Sequence, residues 1–265
     1  MAVDVVWFKK DLRTYDHIPL IEATKSGNKV LCLYVLEPER LELDDVDPIH
    51  IEWELENAIE LSKCLGKIGG DLHFATDDMI TTLEKINLDY GISRLLSHEE
   101  TGNSWSYQRD KLVQNWCRNQ GIDWIEYPTN GVIRKLKDRD LWKRKRDARM
   151  RENLYEPPEI TNHAEFHGDA PSMIALGLNP RKLTNYPVPG QSAAFGRLES
   201  FLNEEAKQFQ WAISSPTLAV KHGSGLSPYL TVGAISMRRV VQATNVRMEY
   251  IRKNKAELDG PRVWL

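Results

Sequence analysis

Cysteine is scarce in this chain: Cys32, Cys64 and Cys117 are scattered, odd in number and without a C-x-x-C pair, so they signal neither a disulfide framework nor a Cys-based metal site. No apolar run is long enough to cross a bilayer, which argues against a membrane partner. Residues 1–8, "MAVDVVWF", lack the basic stretch and small-residue cleavage site of a signal peptide, so a cytoplasmic location is expected. There is no G-x-G-x-x-G turn and no P-loop lysine motif, which disfavours an ordinary dinucleotide or nucleoside triphosphate site. No internal repeat is visible.

What is present is an alternation of two periods. The apolar runs at 3–8, 29–36, 71–76, 93–99 and 122–128 read as strands. Helical spacing falls between them, near 18–26, 50–66, 78–88 and 104–119. Near-continuous Val, Leu and Ile in the strands implies burial on both faces. Strand–helix alternation then predicts an α/β fold with a Rossmann-like, doubly wound, parallel five-stranded sheet over residues 1–130. Residues 131–190 carry "EPPE", "NPRK" and "NYPVPGQ" among polar stretches and read as a connector that rejects long regular elements. From 191 to 265 the pattern is helical, with Phe195, Leu198, Phe201 and Leu202 at spacings of three and four.

Charge is distributed unevenly. Residues 134–151, "RKLKDRDLWKRKRDARMR", hold ten Lys or Arg against three Asp, a charge of +7 that leaves -10 on the remainder of a chain whose net charge is -3. Such a block reads either as a surface that steers polyanions or as a solvated helix face or linker.

In an open parallel sheet ligands bind beyond the carboxyl ends of the strands, which directs attention to the loops at 9–17, 37–45, 76–79 and 98–105. Asp16 is placed to cap the following helix, with Pro19 in its first turn, and Arg13 and Asp11 are placed to pair with each other. His98, Glu99 and Glu100 adjoin after a strand, a combination that binds metals or moves protons, but no second ligand cluster completes a site and no metal is expected. In "KHGSGLSPYLTVGAIS" (221–236) Ser227 is expected to cap a short helix opened by Pro228, Gly233 to end it, and Ser236 to cap the next. Gly223 and Gly225 remove side chains from the approach to Ser224 and Ser227, which suits either a phosphate or a tight turn between packed helices.

Three stretches taken together, "VVWFKKDLRTYDHIPL", "HEETGNSWSYQRDKLV" and "GSGLSPYLTVGAISMRR", resemble the photolyase/cryptochrome family. The first is similar to its W-F-[RK]-x-D-L-R-x-x-D signature and the last to its L-S-P-Y-L-x-x-G-x-[IL]-S motif. The resemblance implies an antenna-type α/β domain, a connector and the beginning of an all-α FAD-binding domain. It implies FAD as cofactor, an antenna chromophore as a possible second, and DNA containing pyrimidine dimers as partner. Carried over by position, Gly223, Ser224, Gly225, Leu226 and Ser227 match the loop that receives the FAD phosphates, with Phe209 where the family often has a phosphate-contacting Tyr. Gly223 stands where a hydroxyl residue or Cys is frequent, so one or two hydrogen bonds to phosphate would be missing. The "WSYQ" at 105–108 does not reproduce the Asn-Glu pair that some members use for a folate antenna.

The resemblance also implies that the sequence ends, at "GPRVWL", before the segments that embrace the flavin ring and form most of the DNA cavity. The eight Trp are expected to be core or surface anchors, and Val240, Val241, Tyr250 and Ile251 to lie exposed on the final helices. Three functions follow as expectations: light-driven repair of pyrimidine dimers by electron transfer from reduced FAD, a cryptochrome-like photoreceptor without repair, or a non-photochemical nucleotide-binding domain.

Overall fold

The computed structural model describes residues 2–166, 168–181 and 186–254. Five strands, β1 (Val3–Phe8), β2 (Lys29–Val35), β3 (Leu72–Ala75), β4 (Ile92–His98) and β5 (Asp123–Tyr127), form one sheet in the order β3-β2-β1-β4-β5. Every neighbouring pair is parallel. The chain winds outward from β1 through β2 and β3, then returns to the other side of β1 for β4 and β5, which puts the topological switch point between β1 and β4.

All six residues of β1 are buried, and their alternation assigns them to two cores. Val6 and Phe8 join Cys32, Tyr34, Leu72 and Phe74 on the face covered by α1 (Ile18–Thr24) and α3 (Pro48–Gly66). Val3, Val5 and Trp7 join Leu31, Leu33 and Leu95 on the face covered by α4 (Met79–Tyr90) and α5 (Ser104–Gln120). Burial on both faces explains why these strands read as continuous apolar runs. Asp4 is the exception in β1, and it accepts hydrogen bonds from Arg94 and from Asn28 Nδ2. A four-residue helix, α2 (Pro38–Leu41), follows β2 and was not anticipated; Pro38 opens it, but it is too short for a period to show.

The stretch 131–190 is less irregular than its prolines and glycines suggest. A 3-10 turn at Arg139–Leu141, opened by the Asp138 side chain accepting from Asp140 N, runs into α6 (Trp142–Arg151). The Pro-rich segment begins only after this helix has ended. Beyond it the chain runs beside β2 and β3: Val30 N–H donates to Asn162 O at 2.9 Å, Ala164 N–H to Val30 O at 2.9 Å, and Phe74 N–H to Gly168 O at 3.1 Å. The bonds to Val30 cover the start of β2, ahead of its pairing with β3, and the bond to Phe74 covers the β3 edge, backbone groups that would otherwise face water.

The remaining described elements are helical. They are α7 (Gln191–Ser200), a π-helical turn (Phe201–Glu205), α8 (Ala206–Ala212), α9 (Pro216–His222), α10 (Ser227–Val232) and α11 (Met237–Lys253). Ala194, Leu198, Leu202, Leu226, Tyr229 and Val232 share the core of the α3 face, so this part is packed on the sheet domain. Ile251, expected on the surface, is 1% exposed, because it lies on the inner side of α11; Val240 and Val241 are half-buried, and Tyr250 is exposed as expected. Among the described residues no helix is long and apolar enough to cross a membrane.

Candidate cofactor site

The loop after β1 does not use its charges as expected. Asp16 is not the cap of α1: it sits at φ 53°, and His17 is the N-cap, its Nδ1 accepting from Leu20 N–H at 3.2 Å. Arg13 is not paired with Asp11 either. It donates to Gly233 O at 3.0 Å, to Asp16 O at 3.1 Å and to Thr129 Oγ1 at 3.1 Å. Leu12 N–H donates to Val232 O at 3.0 Å, and Arg238, on α11, reaches Asp16 Oδ1 at 3.0 Å. Gly233 completes the joint with φ 70°; a Cβ there would lie 2.1 Å from Lys10 O. The loop therefore docks α10 and α11 onto the sheet through Leu12, Arg13 and Asp16, while Lys9 and Lys10 at its start line a cavity. Burial lowers the pKa of Arg13, with Asp11 and Asp16 opposing the shift.

Asp11 turns inward instead. Its Oδ1 accepts from Lys9 N–H at 2.7 Å, and its Oδ2 lies 2.9 Å from His17 Nε2 and 2.7 Å from His98 Nδ1. His17 stacks on Phe8 at 4.5 Å between centroids and meets His98 edge-on at 4.5 Å. Burial lowers the pKa of both imidazoles; for His98 the neighbouring His17 adds to the shift and brings it to about 3. Burial would raise the Asp11 carboxyl, but the hydrogen bonds it accepts from His17 and His98 outweigh it and hold the group well below the usual range. The ligand atoms of Asp11, His17 and His98 lie within 4.8 Å of one another, a separation that a metal ion could bridge. As arranged, two neutral imidazole N–H groups donate to one carboxylate oxygen, which satisfies that oxygen without a metal. The expected His98–Glu99–Glu100 group does not assemble. His98 points to Asp11, whereas Glu100 accepts from Arg109 Nη2 at 2.5 Å.

Beyond the carboxyl ends of β1 and β2 opens a cavity of about 640 Å³. Trp7, Trp53 and Trp105 line it, α10 closes it through Ser227, Pro228, Thr231 and Val232, and Trp53 Nε1 donates to Pro228 O at 3.0 Å. Its charges are paired internally. Glu54 accepts from Tyr34 Oη at 2.8 Å, Arg40 Nη1 at 2.8 Å and Lys10 Nζ at 2.5 Å. Burial would raise this carboxyl, yet Lys10 and Arg40 hold it well below the ordinary range. Arg109 lies 4.7 Å from the Trp7 centroid and 5.2 Å from that of Trp105, a cation–π arrangement. Lys9 Nζ is buried 4.6 Å from the Trp7 centroid, 3.6 Å from Asp110 and 3.9 Å from Glu100, with no hydrogen-bond partner.

The loop at 223–227 is held from below. Gly223 ends α9, its N–H donating to Ala219 O at 2.8 Å, and a Cβ on it would lie 2.6 Å from that oxygen. Gly225 has φ +61° and Leu226 follows in right-handed geometry, the pair of conformations that turns successive N–H groups toward one anion. Among the described residues no acceptor pairs with the N–H groups of Ser224, Gly225 and Ser227. Arg197, on α7, donates to Ser224 O at 2.7 Å and to Gly223 O at 3.1 Å, while its Nη1 reaches Glu205 Oε1 at 2.8 Å. Glu205 belongs to the π-helical turn, whose widened geometry carries it beside Arg197. Neither residue was singled out from the sequence, since a partner 27 residues away leaves no periodic trace.

Ser227 is the first residue of α10, not its cap; Leu226 holds that place and provides no side-chain bond. Gly233 and Ser236 end α10 and cap α11 as expected. Leu226 is buried in the core, so its side chain is structural, whereas Ser227 is exposed and borders the cavity. Phe209 packs edge-on against Phe201 at 5.6 Å between centroids, and no hydrogen bond links it to the loop.

The chain resembles proteins of known function. A model of the family described as DNA photolyase matches residues 4–138, half of the chain. The deoxyribodipyrimidine photo-lyase of Vibrio cholerae is 26% identical over 98% of this chain and 58% of its own length. Cryptochrome-1 of Erithacus rubecula is 23% identical over 100% of this chain and 47% of its own. A bacterial class III photolyase from Agrobacterium tumefaciens superposes with a TM-score of 0.76 at 23% identity, over 92% of this chain and 53% of that one. The Synechocystis cryptochrome gives a TM-score of 0.79 at 18% identity, over 99% and 58%. The chain thus spans about half the length of the relatives it matches. On the match over residues 4–138, with the switch-point sheet beneath it, the chain belongs to the DNA photolyase family.

Proposed function

We propose that this chain is the part of a light-driven DNA lyase that holds the phosphates of FAD, in a protein that repairs pyrimidine dimers. The observation that carries the reading is the loop at 223–227: three backbone N–H groups without an acceptor among the described residues stand on a left-handed glycine, braced by the Arg197 guanidinium. Donors fixed in this way suit a diphosphate, because they need no rearrangement when the anion arrives. Ser224, Gly225 and Ser227 would provide the N–H groups, Gly223 the clearance, and Arg197 the shape of the loop. When bound, reduced FAD would supply light-driven electron transfer to and from the dimer, so that its cyclobutane bonds would open with no net oxidation. The protein's share is to bind, orient and exclude water.

The cavity beside α10 is the place for an antenna chromophore. Its tryptophan walls and internally neutralised charges suit a planar heterocycle better than a highly charged ligand. Titrating with FAD both the purified chain and the protein as its gene encodes it, and recording the visible spectrum, tests the reading: a bound flavin spectrum in the gene-encoded protein supports it, and flavin in neither overturns it. A dimer-repair assay under illumination separates the lyase from a photoreceptor of the same family.

A further inference from the structure

We propose that α6 and the turn before it form a contact surface for the phosphates of duplex DNA, separate from any lesion-binding cavity. The proposal rests on the reading that this protein works on DNA. In the stretch 134–151, Arg134 pairs with Glu126 and Arg146 with Asp147, each at 2.8 Å. Lys137, Arg139, Lys143, Arg144, Lys145 and Arg151 are all exposed and have no carboxylate partner among the described residues. This is a concentration of one sign on a molecule whose remaining residues sum to -10.

The stretch is not a loose linker. Arg149 Nη1 donates to Asn130 O at 2.6 Å and to Val132 O at 2.7 Å, and Trp142 Nε1 donates to Gly131 O at 3.0 Å. From α11, Gln242 Nε2 donates to Met150 O at 2.9 Å and to Glu152 O at 2.7 Å. The cations therefore stand on a braced helix, with their order of presentation fixed before any partner arrives.

Their placement costs the helix stability. No acid lies in the first turn, Leu141 gives no capping bond, and Lys143, Arg144 and Lys145 sit at the positive end of the helix dipole. Arg139 and Lys143, like Lys145 and Arg149, are four residues apart with the same charge. A run that breaks several local rules and gains nothing inside the molecule points to a partner outside it. A lipid surface is the poorer fit: an interfacial helix needs a broad outward apolar face, and here Met150 is buried and the exposed Trp142 and Ala148 stand among the exposed Lys143, Arg144, Lys145 and Arg151.

The test is the salt dependence of binding to an undamaged duplex, read by fluorescence anisotropy with the 265-residue chain. The variant K143A/R144A/K145A should flatten the slope of log K against log[salt] by about 2–3 and weaken binding at least tenfold near 0.1 M salt. The variant K143Q/R144Q/K145Q repeats this without favouring the helix as alanine does. The control K63A/K67A/K85A, which removes three exposed cations of α3, its following turn and α4, should leave the slope unchanged. An unaltered slope in the α6 variants, or an equal loss in the control, overturns the proposal and leaves the DNA reading intact. A wild-type chain that binds no duplex but binds phosphatidylserine vesicles, or neither, removes both.

Discussion

Gly233→Ala puts the joint between the sheet loop and the helical part under direct load. The new Cβ would lie 2.1 Å from Lys10 O, 2.5 Å from Asp11 Cα and 2.6 Å from Lys10 C, all of them backbone atoms, so no side chain can swing aside. Left-handed geometry at φ +70° costs an alanine about 1–2 kcal/mol wherever it occurs. The clash must be relieved by a backbone shift, about 1–3 kcal/mol by analogy with an overpacked core, and that shift strains the bonds Leu12 N–H to Val232 O and Arg13 to Gly233 O. Gly121 provides the control: it has the same φ of +70°, at the end of α5, and a Cβ there meets nothing within 4 Å. In urea unfolding followed by circular dichroism, Gly121→Ala should cost about 1–2 kcal/mol and Gly233→Ala about 2–5 kcal/mol. At an m-value of about 1–3 kcal/mol/M the two midpoints should differ clearly. Equal losses would mean that the approach of α10 and α11 to Lys10 and Asp11 is not as described, and the account of the signature loop as a docking joint would be wrong.

Three further outcomes are expected. His17 and His98 have folded pKa values below the unfolded 6.5, so the unfolded chain binds more protons; stability is full above pH 6.5 and declines as pH falls, by up to about 1.4 kcal/mol per pH unit for each histidine. His98→Gln should remove the His98 share of that slope, up to about 1.4 kcal/mol per pH unit between about pH 6 and 5, and an unchanged slope would contradict the buried neutral imidazole. Glu54→Gln leaves Lys10 and Arg40 without their carboxylate and should cost about 3–5 kcal/mol at pH 7; because the folded pKa of Glu54 is depressed, its contribution is present above the unfolded value near 4.5 and vanishes as pH falls, so the variant and wild type should converge in acid. Arg197→Ala should weaken FAD binding about tenfold or more by freeing the Gly223 and Ser224 carbonyls while far-UV dichroism stays constant, and unchanged affinity would separate Arg197 from the loop's function.

The sheet was legible because burial on both faces leaves an unmistakable apolar signal: the five expected strands agree with the observed ones to within a residue or two, and four helices fall between them as expected. Helix α6 was hidden because its charged surface gives no apolar stripe, Met150 being its only buried residue. The cap of α1 was misread by one residue, since aspartate is the commoner cap and nothing local announces that Asp16 is claimed by Arg238, 222 positions later. The turn around Gly223 and Gly225 was legible as a break in the helical pattern, because these glycines serve the backbone where they stand, although Ser227 opens α10 rather than capping it. Arg197, Glu205 and the Asp11–His17–His98 triad could not, because each is defined by a partner that only the fold brings near.

Helix α10 is six residues long, about 9 Å from end to end, with the glycine loop at its start and the cavity along its side. Its first residue ends the glycine loop, and Ser227, Pro228, Thr231 and Val232 form one side of the cavity. Ligands at the proposed phosphate loop and in the cavity would share α10 as one thin partition, tethered to α3 through Trp53. If occupying one site moves that partition, linkage makes the effect mutual: whatever factor the first ligand applies to the second, the second applies to the first. Affinities measured one ligand at a time would then describe half of a coupled equilibrium, and a substitution in α10 would register in both.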